Sequence, residues 1–178
     1  MKLLIYTLLL AMASVALFAC GGEEPKDGEN VFAIDGVKHK IANVGIYGGQ
    51  NGYDIVFVDN ASIDLSKAIG DYDYFYAKCS SAVVDINKSL LGKNISDIDD
   101  FVAEGWNSYI GFRDKGKDSH YWTDEDLDYI NPFSCYVTYK SGKLTANISL
   151  EGSWSGVKHT FSMTYSGKPV VSKEYIYY

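Results

Sequence analysis

Residues 133–165 read FSCYVTYKSGKLTANISLEGSWSGVKHTFSMTY, and this stretch decides the fold. Turn residues divide it into three strand-like runs, 133–140, 143–150 and 157–165. In the first run Phe133, Cys135 and Val137 occupy alternate positions, so one face of the strand is apolar. The stretch therefore predicts a hairpin on Ser141-Gly142, then a third strand after a turn within Gly152–Gly156.

A similar pattern extends towards the N-terminus, where Gly, Asn, Asp and Ser recur about every ten residues from Val31 onward. Asp35-Gly36 is typical of a primed turn and predicts a hairpin between runs 31–34 and 37–42. The other predicted strands are Tyr53–Val58, Tyr74–Cys79, Ala82–Ile86 and Ser108–Arg113. Within Tyr74–Cys79, the residues expected to face the core are Phe75, Ala77 and Cys79.

Two short helices are predicted in the connections between strands. Residues 96–105 begin with Ser-Asp-Ile-Asp and end on Gly105, and residues 123–132 begin with Thr-Asp-Glu-Asp and reach Pro132. Both segments place acidic residues in a first turn, where the helix dipole favours them. The acidic clusters therefore have a structural explanation before a catalytic one is required.

The whole pattern predicts an all-β protein, a single antiparallel β-sandwich of about eight to ten strands with two short helices in loops. A closed, calycin-like β-barrel is the alternative. An α/β fold is excluded because no segment of about ten or more residues sustains a helical period. The composition of the 178 residues, 47% hydrophobic and 22% charged, is that of a globular protein.

The N-terminus has the features of an export signal. Lys2 precedes a largely apolar run, 3–18, which is shorter than the ~20 residues that span a bilayer. The run ends in Leu17-Phe18-Ala19-Cys20, which resembles a bacterial lipobox. The resemblance implies removal of residues 1–19 and acylation of Cys20, with residues 20–30 as a flexible acidic tether and 31–178 as one β domain.

Further resemblances concern location. The run Cys20-Gly-Gly-Glu-Glu is similar to the acidic motif behind the lipidated cysteine of Bacteroidota surface lipoproteins. Residues 32–41 and 142–156 also resemble a broad group of Bacteroidota lipoproteins with a β-rich domain, although Trp154 stands where that group more often has Tyr. The resemblance implies an outer-membrane lipoprotein on the cell surface, with the periplasmic face as the alternative, and implies no particular activity.

Charge and metal-ligand spacing exclude several partners. The formal net charge is −7 and no basic cluster is present, which argues against nucleic acid. His39, His120 and His159 lack the close spacing common in metal sites, so neither a metal nor a cofactor is expected. Residues 114–125 depart from an EF-hand at two positions, and a looser calcium site would use Asp114, Asp118 and Asp124.

Two cysteines remain in the β domain after the lipidated one. Cys79 and Cys135 both lie on apolar strand faces, so they can be buried free thiols. Because an exported protein folds where disulfides form, a Cys79–Cys135 bridge is equally consistent with the sequence.

The sequence has no nucleophile elbow, phosphate loop or zinc-protease helix, so it does not indicate an enzyme. The paired carboxylates Asp97 with Asp99, and Asp124 with Asp126, are predicted to cap helices rather than to hydrolyse glycosides. No catalytic residue is therefore assigned.

Aromatic residues are the remaining candidates for a binding site. Trp154 falls in the predicted 152–156 turn and Tyr121-Trp122 just before the second helix, where exposed rings can stack on a ligand; Trp106 is a further candidate. Burial of these rings against the core is the structural alternative. The sequence predicts a lipid-anchored binding or adhesion module for a glycan or a protein, with a carrier of a small apolar ligand and a hydrolase as alternatives.

Overall fold

The computed structural model describes residues 30–49, 51–66, 75, 77–103, 108–115, 121–123 and 129–172. The first of its two sheets, sheet A, has the strand order β2-β1-β10-β9-β8. Its strands are β1 (Val31–Ile34), β2 (Val37–Lys40), β8 (Tyr129–Lys140), β9 (Lys143–Trp154) and β10 (Val157–Gly167). All neighbours in this sheet are antiparallel.

The second sheet, sheet B, has the order β11-β3-β4-β5-β6-β7. Its strands are β3 (Asn43–Gly48), β4 (Gly52–Val58), β5 (Ser81–Asn87), β6 (Tyr109–Arg113), β7 (Tyr121–Trp122) and β11 (Val170–Ser172). Strand β11 runs parallel to β3, and the other pairs are antiparallel. A 3-10 turn occupies Lys88–Leu90, and helix α1 occupies Ile98–Ala103.

The two sheets pack face to face around one apolar core. Phe112 of sheet B stacks on Phe161 of sheet A, with 5.0 Å between the ring centroids. Phe57 meets Tyr165 edge to face at 5.5 Å. Both contacts lie in a cluster of buried side chains contributed by both sheets, so the predicted β-sandwich is confirmed. Within the described residues neither sheet closes on itself, and the barrel alternative is wrong.

Sheet B is buried on both faces. In β4, Ile55 and Phe57 face the core between the sheets, whereas Val56 and Val58 belong to a second cluster on the outer face. That second cluster comprises Tyr47, Val56, Val58, Leu65, Phe75, Cys79 and Val83. The continuous apolar run at the end of β4 follows from this double burial, since a strand covered on both sides has no polar face.

The three two-residue turns that connect neighbouring strands of sheet A use left-handed backbone conformations. Asp35 and Gly36 have φ angles of 50° and 80°, and Ser141 and Gly142 have 52° and 76°, as a primed turn requires. The third pair is Ser155 and Gly156. This turn is tighter than predicted, because Gly152, Ser153 and Trp154 still pair as part of β9.

One of the predicted strands needs correction. The described residues of the predicted strand Tyr74–Cys79 do not form a strand, because Phe75, Ala77 and Lys78 are helical, and Ala77 is exposed rather than core-facing. The Cys79 thiol donates to the Phe75 carbonyl at 3.4 Å, so these two buried residues are four apart on one helical face.

The two predicted helices have different outcomes. The first forms as α1, and its Phe101 packs on Phe133 with 5.5 Å between ring centroids. Most of the second falls on residues 124–128, outside the described residues, but the strand β8 already begins at Tyr129, three residues before the proline that was expected to end the helix. Strands β3 and β11 were not predicted.

Candidate functional site

A cluster of polar side chains joins the edge of sheet A to the ends of sheet B. His39 of β2 lies between two carboxylates, with its Nδ1 3.3 Å from Asp59 Oδ2 and its Nε2 3.0 Å from Asp114 Oδ1. Asp59 follows β4 and Asp114 follows β6. The imidazole also stacks on Phe32, with ring centroids 5.0 Å apart. The Nε2 contact lacks hydrogen-bond alignment, so the geometry supports only a close approach of Nε2 to the Asp114 carboxylate.

The serine in this cluster is not arranged as a nucleophile. The Ser80 hydroxyl donates to Asp114 Oδ1 at 3.2 Å and accepts the Lys115 backbone N–H at 2.9 Å. Its own backbone N–H donates to Asp59 Oδ1 at 2.9 Å. A catalytic serine would instead donate to the histidine that removes its proton. The cluster is therefore a tie between the sheets rather than a Ser-His-Asp triad.

His159 of β10 is held by a carboxylate from the β1–β2 turn. Its Nδ1 lies 3.0 Å from Asp35 Oδ2, while Asp35 Oδ1 accepts the Thr160 backbone N–H at 2.9 Å. One aspartate in the β1–β2 turn thus fastens β10 through two contacts. His120 lies outside the described residues. The two described histidines are both engaged with carboxylates, as a structural role predicts.

The two cysteines are buried and free, and the disulfide that the sequence allowed is not formed. Cys79 lies in the outer cluster of sheet B, and Cys135 lies in the core between the sheets, so a layer of sheet B separates them. Burial raises the pKa of each thiol to about 12, and the Asp59 charge adds to the effect at Cys79. Neither is a thiolate near neutral pH, so neither is a ready nucleophile.

Of the two predicted carboxylate pairs, the one that the structure describes caps a helix. Asp97 Oδ1 accepts the Asp99 backbone N–H at 3.0 Å at the start of α1, where Asp99 and Asp100 occupy the first turn. Asp124 and Asp126 lie outside the described residues, as does Asp118 of the looser calcium site. Among the residues that the structure describes, no group of three or more His, Cys, Asp or Glu side chains could hold a metal ion.

Two carboxylates that the sequence reasoning missed face each other on sheet B. Asp54 of β4 and Asp85 of β5 are direct cross-strand partners, and both line a pocket of about 150 Å³. Its other lining residues are Gly49, Asn51, Gly52, Tyr53 and Asn87. Cβ atoms of direct partners lie only about 5 Å apart, which brings the two carboxyl groups close together. The signal in the sequence was one aspartate inside each of two otherwise apolar strands.

The outer face of sheet A carries a regular array of uncharged polar residues. Three rows cross β8, β9 and β10: Ser134–Ser149–Ser162, Tyr136–Asn147–Thr164 and Thr138–Thr145–Ser166. We call these nine residues the polar grid. They alternate with core residues such as Cys135, Ile148 and Met163, and so point away from the core. All but Thr145 are exposed or half-buried. The rows depend on the register between strands, which the sequence alone did not provide.

The aromatic candidates lie on two different sheets. Tyr121 and Trp122 form β7, the short edge strand of sheet B, opposite Phe112 and Gly111. Trp154 is the last residue of β9. All three lie in strands, and Trp154 directly precedes the Ser155-Gly156 turn, while Trp106 lies outside the described residues. Their role in binding stays a prediction.

Comparisons with known proteins identify no relative. No family model, curated protein or solved structure matches the chain. In the part of the chain that the structure describes, no helix is both long and apolar enough to cross a bilayer.

Proposed function

We propose that this chain is a lipoprotein, anchored to the outer membrane through Cys20, that displays a non-catalytic β-sandwich for binding or adhesion. The domain would face the outside of the cell, with the periplasmic face as the alternative. Its ligand would be a glycan or a protein. The lipobox-like segment, the acidic tether and the acidic net charge support this proposal.

The observation that carries the binding function is the contrast between the outer faces of the two sheets. The outer face of sheet B is covered by Leu65, Phe75 and Cys79, whereas the polar grid of sheet A remains accessible over three strands. Binding surfaces on sandwiches need such an accessible, rigid support. The Ser80 hydroxyl and the His39 ring contact carboxylates, and the two buried thiols stay protonated. These states argue against nucleophilic catalysis by the described Ser80, His39 and cysteine side chains.

A glycan and protein-binding array tests this function with the full chain in detergent. We expect at least one class of ligand to be captured. Separate Trp122→Ala and Trp154→Ala variants then test the aromatic residues, because stacked rings supply much contact area at a small entropy cost. Loss of capture with an unchanged melting temperature would support a contact role. A fall of several degrees would show that the ring stabilises the fold instead.

Hydrolysis is a second candidate function because Asp54 and Asp85 line the same pocket. Retaining glycosidases place two carboxyl groups about 5 Å apart on either side of the scissile bond. If these residues are catalytic, the chain releases reducing ends from a polysaccharide, and Asp54→Asn or Asp85→Asn lowers the rate at least about a hundredfold. Ordinary turnover in both variants would exclude this site. The carrier alternative has less support, because two pockets among the described residues, of about 150 and 360 Å³, have carboxylates in their lining.

A further inference from the structure

The polar grid differs from an ordinary protein surface in its charge. Charged residues make up 22% of the chain, and soluble surfaces commonly carry about a quarter or more, yet none of the nine grid positions is charged. The charged side chains of the same strands lie at the ends of the sheet. Lys140 and Lys143 flank one turn, and Lys158 pairs with Glu151 near the other. Two rows also continue through β1 to Lys38 and Lys40 of β2, so the grid is an uncharged polar surface with charged side chains only at its borders.

Hydroxyl groups dominate the chemistry of the grid. Seven positions are Ser or Thr, Tyr136 adds a phenol, and Asn147 supplies an amide at the centre. Each hydroxyl can donate and accept a hydrogen bond, and the amide offers both functions as well. Adjacent strands lie about 4.8 Å apart, and alternate residues along one strand about 7 Å apart. A matching ligand must present closely spaced hydroxyls over a flat surface.

Tyr136 adds an apolar contact in the middle row. It is half-buried and lies directly opposite Asn147. An accessible ring beside hydrogen-bonding groups can stack on the apolar face of a sugar ring while its neighbours bind the sugar hydroxyls. An anionic ligand would find no cation on the grid, and a cationic ligand would find no carboxylate. The surface thus favours a neutral, hydroxyl-rich partner over a charged one.

We propose that the polar grid binds a neutral polysaccharide across β8, β9 and β10. This inference rests on the proposed binding function and names both its ligand class and its surface. The three strands pair without interruption through all three rows of the grid, and this backbone holds the grid in place, so little ordering is required on binding. Repeated sugar units let several anchored copies engage one polymer, which strengthens weak single contacts.

Affinity electrophoresis of the full chain in mild detergent tests the proposal. The gels contain laminarin, hydroxyethyl cellulose, mannan or galactan as neutral polymers, and polygalacturonate as an anionic one. We expect retardation by at least one neutral polymer and none by polygalacturonate. Asn147→Lys places a charge in the centre of the grid and should weaken retardation at least about tenfold, and Tyr136→Ala should weaken it by about tenfold through lost stacking.

The matched control is Val171→Lys, which adds the same charge at an exposed position on the edge strand of sheet B. It should leave retardation unchanged. Thermal melting of each variant checks folding, and Asn147→Ala replaces Asn147→Lys if the latter unfolds. Equal retardation of wild type and folded grid variants would overturn the grid as the surface, while the binding function stands.

Other results overturn the ligand class. Retardation by polygalacturonate alone would show an anionic ligand, and a dimer that Asn147→Lys dissociates would show that a second copy covers this face. If no polysaccharide retards the chain but a purified protein on the array binds it, the inference fails and the proposed function survives. If neither polysaccharide nor protein binds, both fail.

Discussion

Cys135 shows how its surroundings suppress the chemistry of a single residue. Its side chain is 1% exposed in the core, and burial raises the pKa of the thiol from 9.0 to about 12. Since a thiolate has no partner that would repay its desolvation there, the group stays protonated and unreactive while the domain is folded.

This pKa shift makes folding sensitive to alkaline pH. In the unfolded chain Cys135 loses its proton near pH 9, whereas in the folded state it keeps the proton to about pH 12. The unfolded state therefore binds fewer protons in this window, and stability should fall by up to about 1.4 kcal/mol per pH unit for this thiol. Urea unfolding at pH 8 to 11 measures the slope, and Cys135→Ala should reduce it while the contribution of Cys79 remains. An identical slope in that variant would contradict the assignment.

The contact between His39 and Asp59 connects the two sheets. Asp59→Asn removes one carboxylate from His39 and weakens the acceptor for the Ser80 backbone N–H. We expect a loss of about 1 to 3 kcal/mol in unfolding free energy, the usual effect of disturbing a partly buried charged hydrogen bond. Chemical denaturation measures it. As a control, Lys38→Ala at an exposed neighbouring position should change stability by less than about 0.5 kcal/mol. If the two variants lost equal stability, the contact between His39 and Asp59 would not stabilise the fold.

Glycine is required for different reasons in turns and at close contacts between strands. Gly142 lies in the β8–β9 turn with φ at 76°, and a Cβ added there meets nothing within 4 Å. Gly52 begins β4, where an added Cβ would lie 2.8 Å from the Ile86 carbonyl oxygen of β5. The first glycine is required by conformation and the second by the approach of a neighbouring strand.

These two causes predict different consequences for alanine. Gly142→Ala should cost about 1 kcal/mol from the left-handed backbone and leave the β4–β5 pairing intact. Gly52→Ala forces backbone to move, so we expect a loss of about 1 to 3 kcal/mol together with faster exchange of the Lys88 amide, which donates to the Asn51 carbonyl beside Gly52. Thermal melting and hydrogen exchange by NMR distinguish them. Unchanged exchange in Gly52→Ala would show that the strands tolerate the Cβ.

The edges of sheet A show how elements protect one another. The free side of β8 is covered where Ile95 exchanges two backbone hydrogen bonds with Cys135 and Gly92 donates to the Val137 carbonyl. Helix α1 adds Phe101 against the same strand. Covering the edge strand in this way limits its pairing with strands of other chains. The outer face of β8 therefore remains the part of this strand that a ligand can reach.

The proposed attachment to a membrane through Cys20 concerns the whole molecule. The proposed anchor predicts that cells fed labelled palmitate incorporate it into the wild-type chain and not into Cys20→Ala, because only this cysteine follows the lipobox-like segment. Cys79→Ala is the matched control and should keep the label. Label in Cys20→Ala would refute the anchor. Loss of the domain when intact cells are treated with protease would place it on the cell surface.

The sequence by itself determined the features that depend on neighbouring residues. Alternating apolar positions in 133–140 and turn pairs such as Asp35-Gly36 identified strands and hairpins, because both signals lie within a few residues. Helix α1 was predicted for the same reason, through its N-terminal cap. Tyr74–Cys79 was wrong because a short apolar pattern also fits a helical turn, and only the packing of Phe75 and Cys79 into one cluster decides between them.

Tertiary structure alone decided which distant residues meet. His39, Asp59 and Asp114 come from three separate strands or their ends, and Asp54 faces Asp85 only because β4 and β5 pair in one particular register. The polar grid likewise needs three strands aligned so that its rows coincide. A shift of one residue in pairing would turn these side chains to the other face. Register and sheet packing depend on contacts across the whole chain, so no local pattern in the sequence determined the candidate sites.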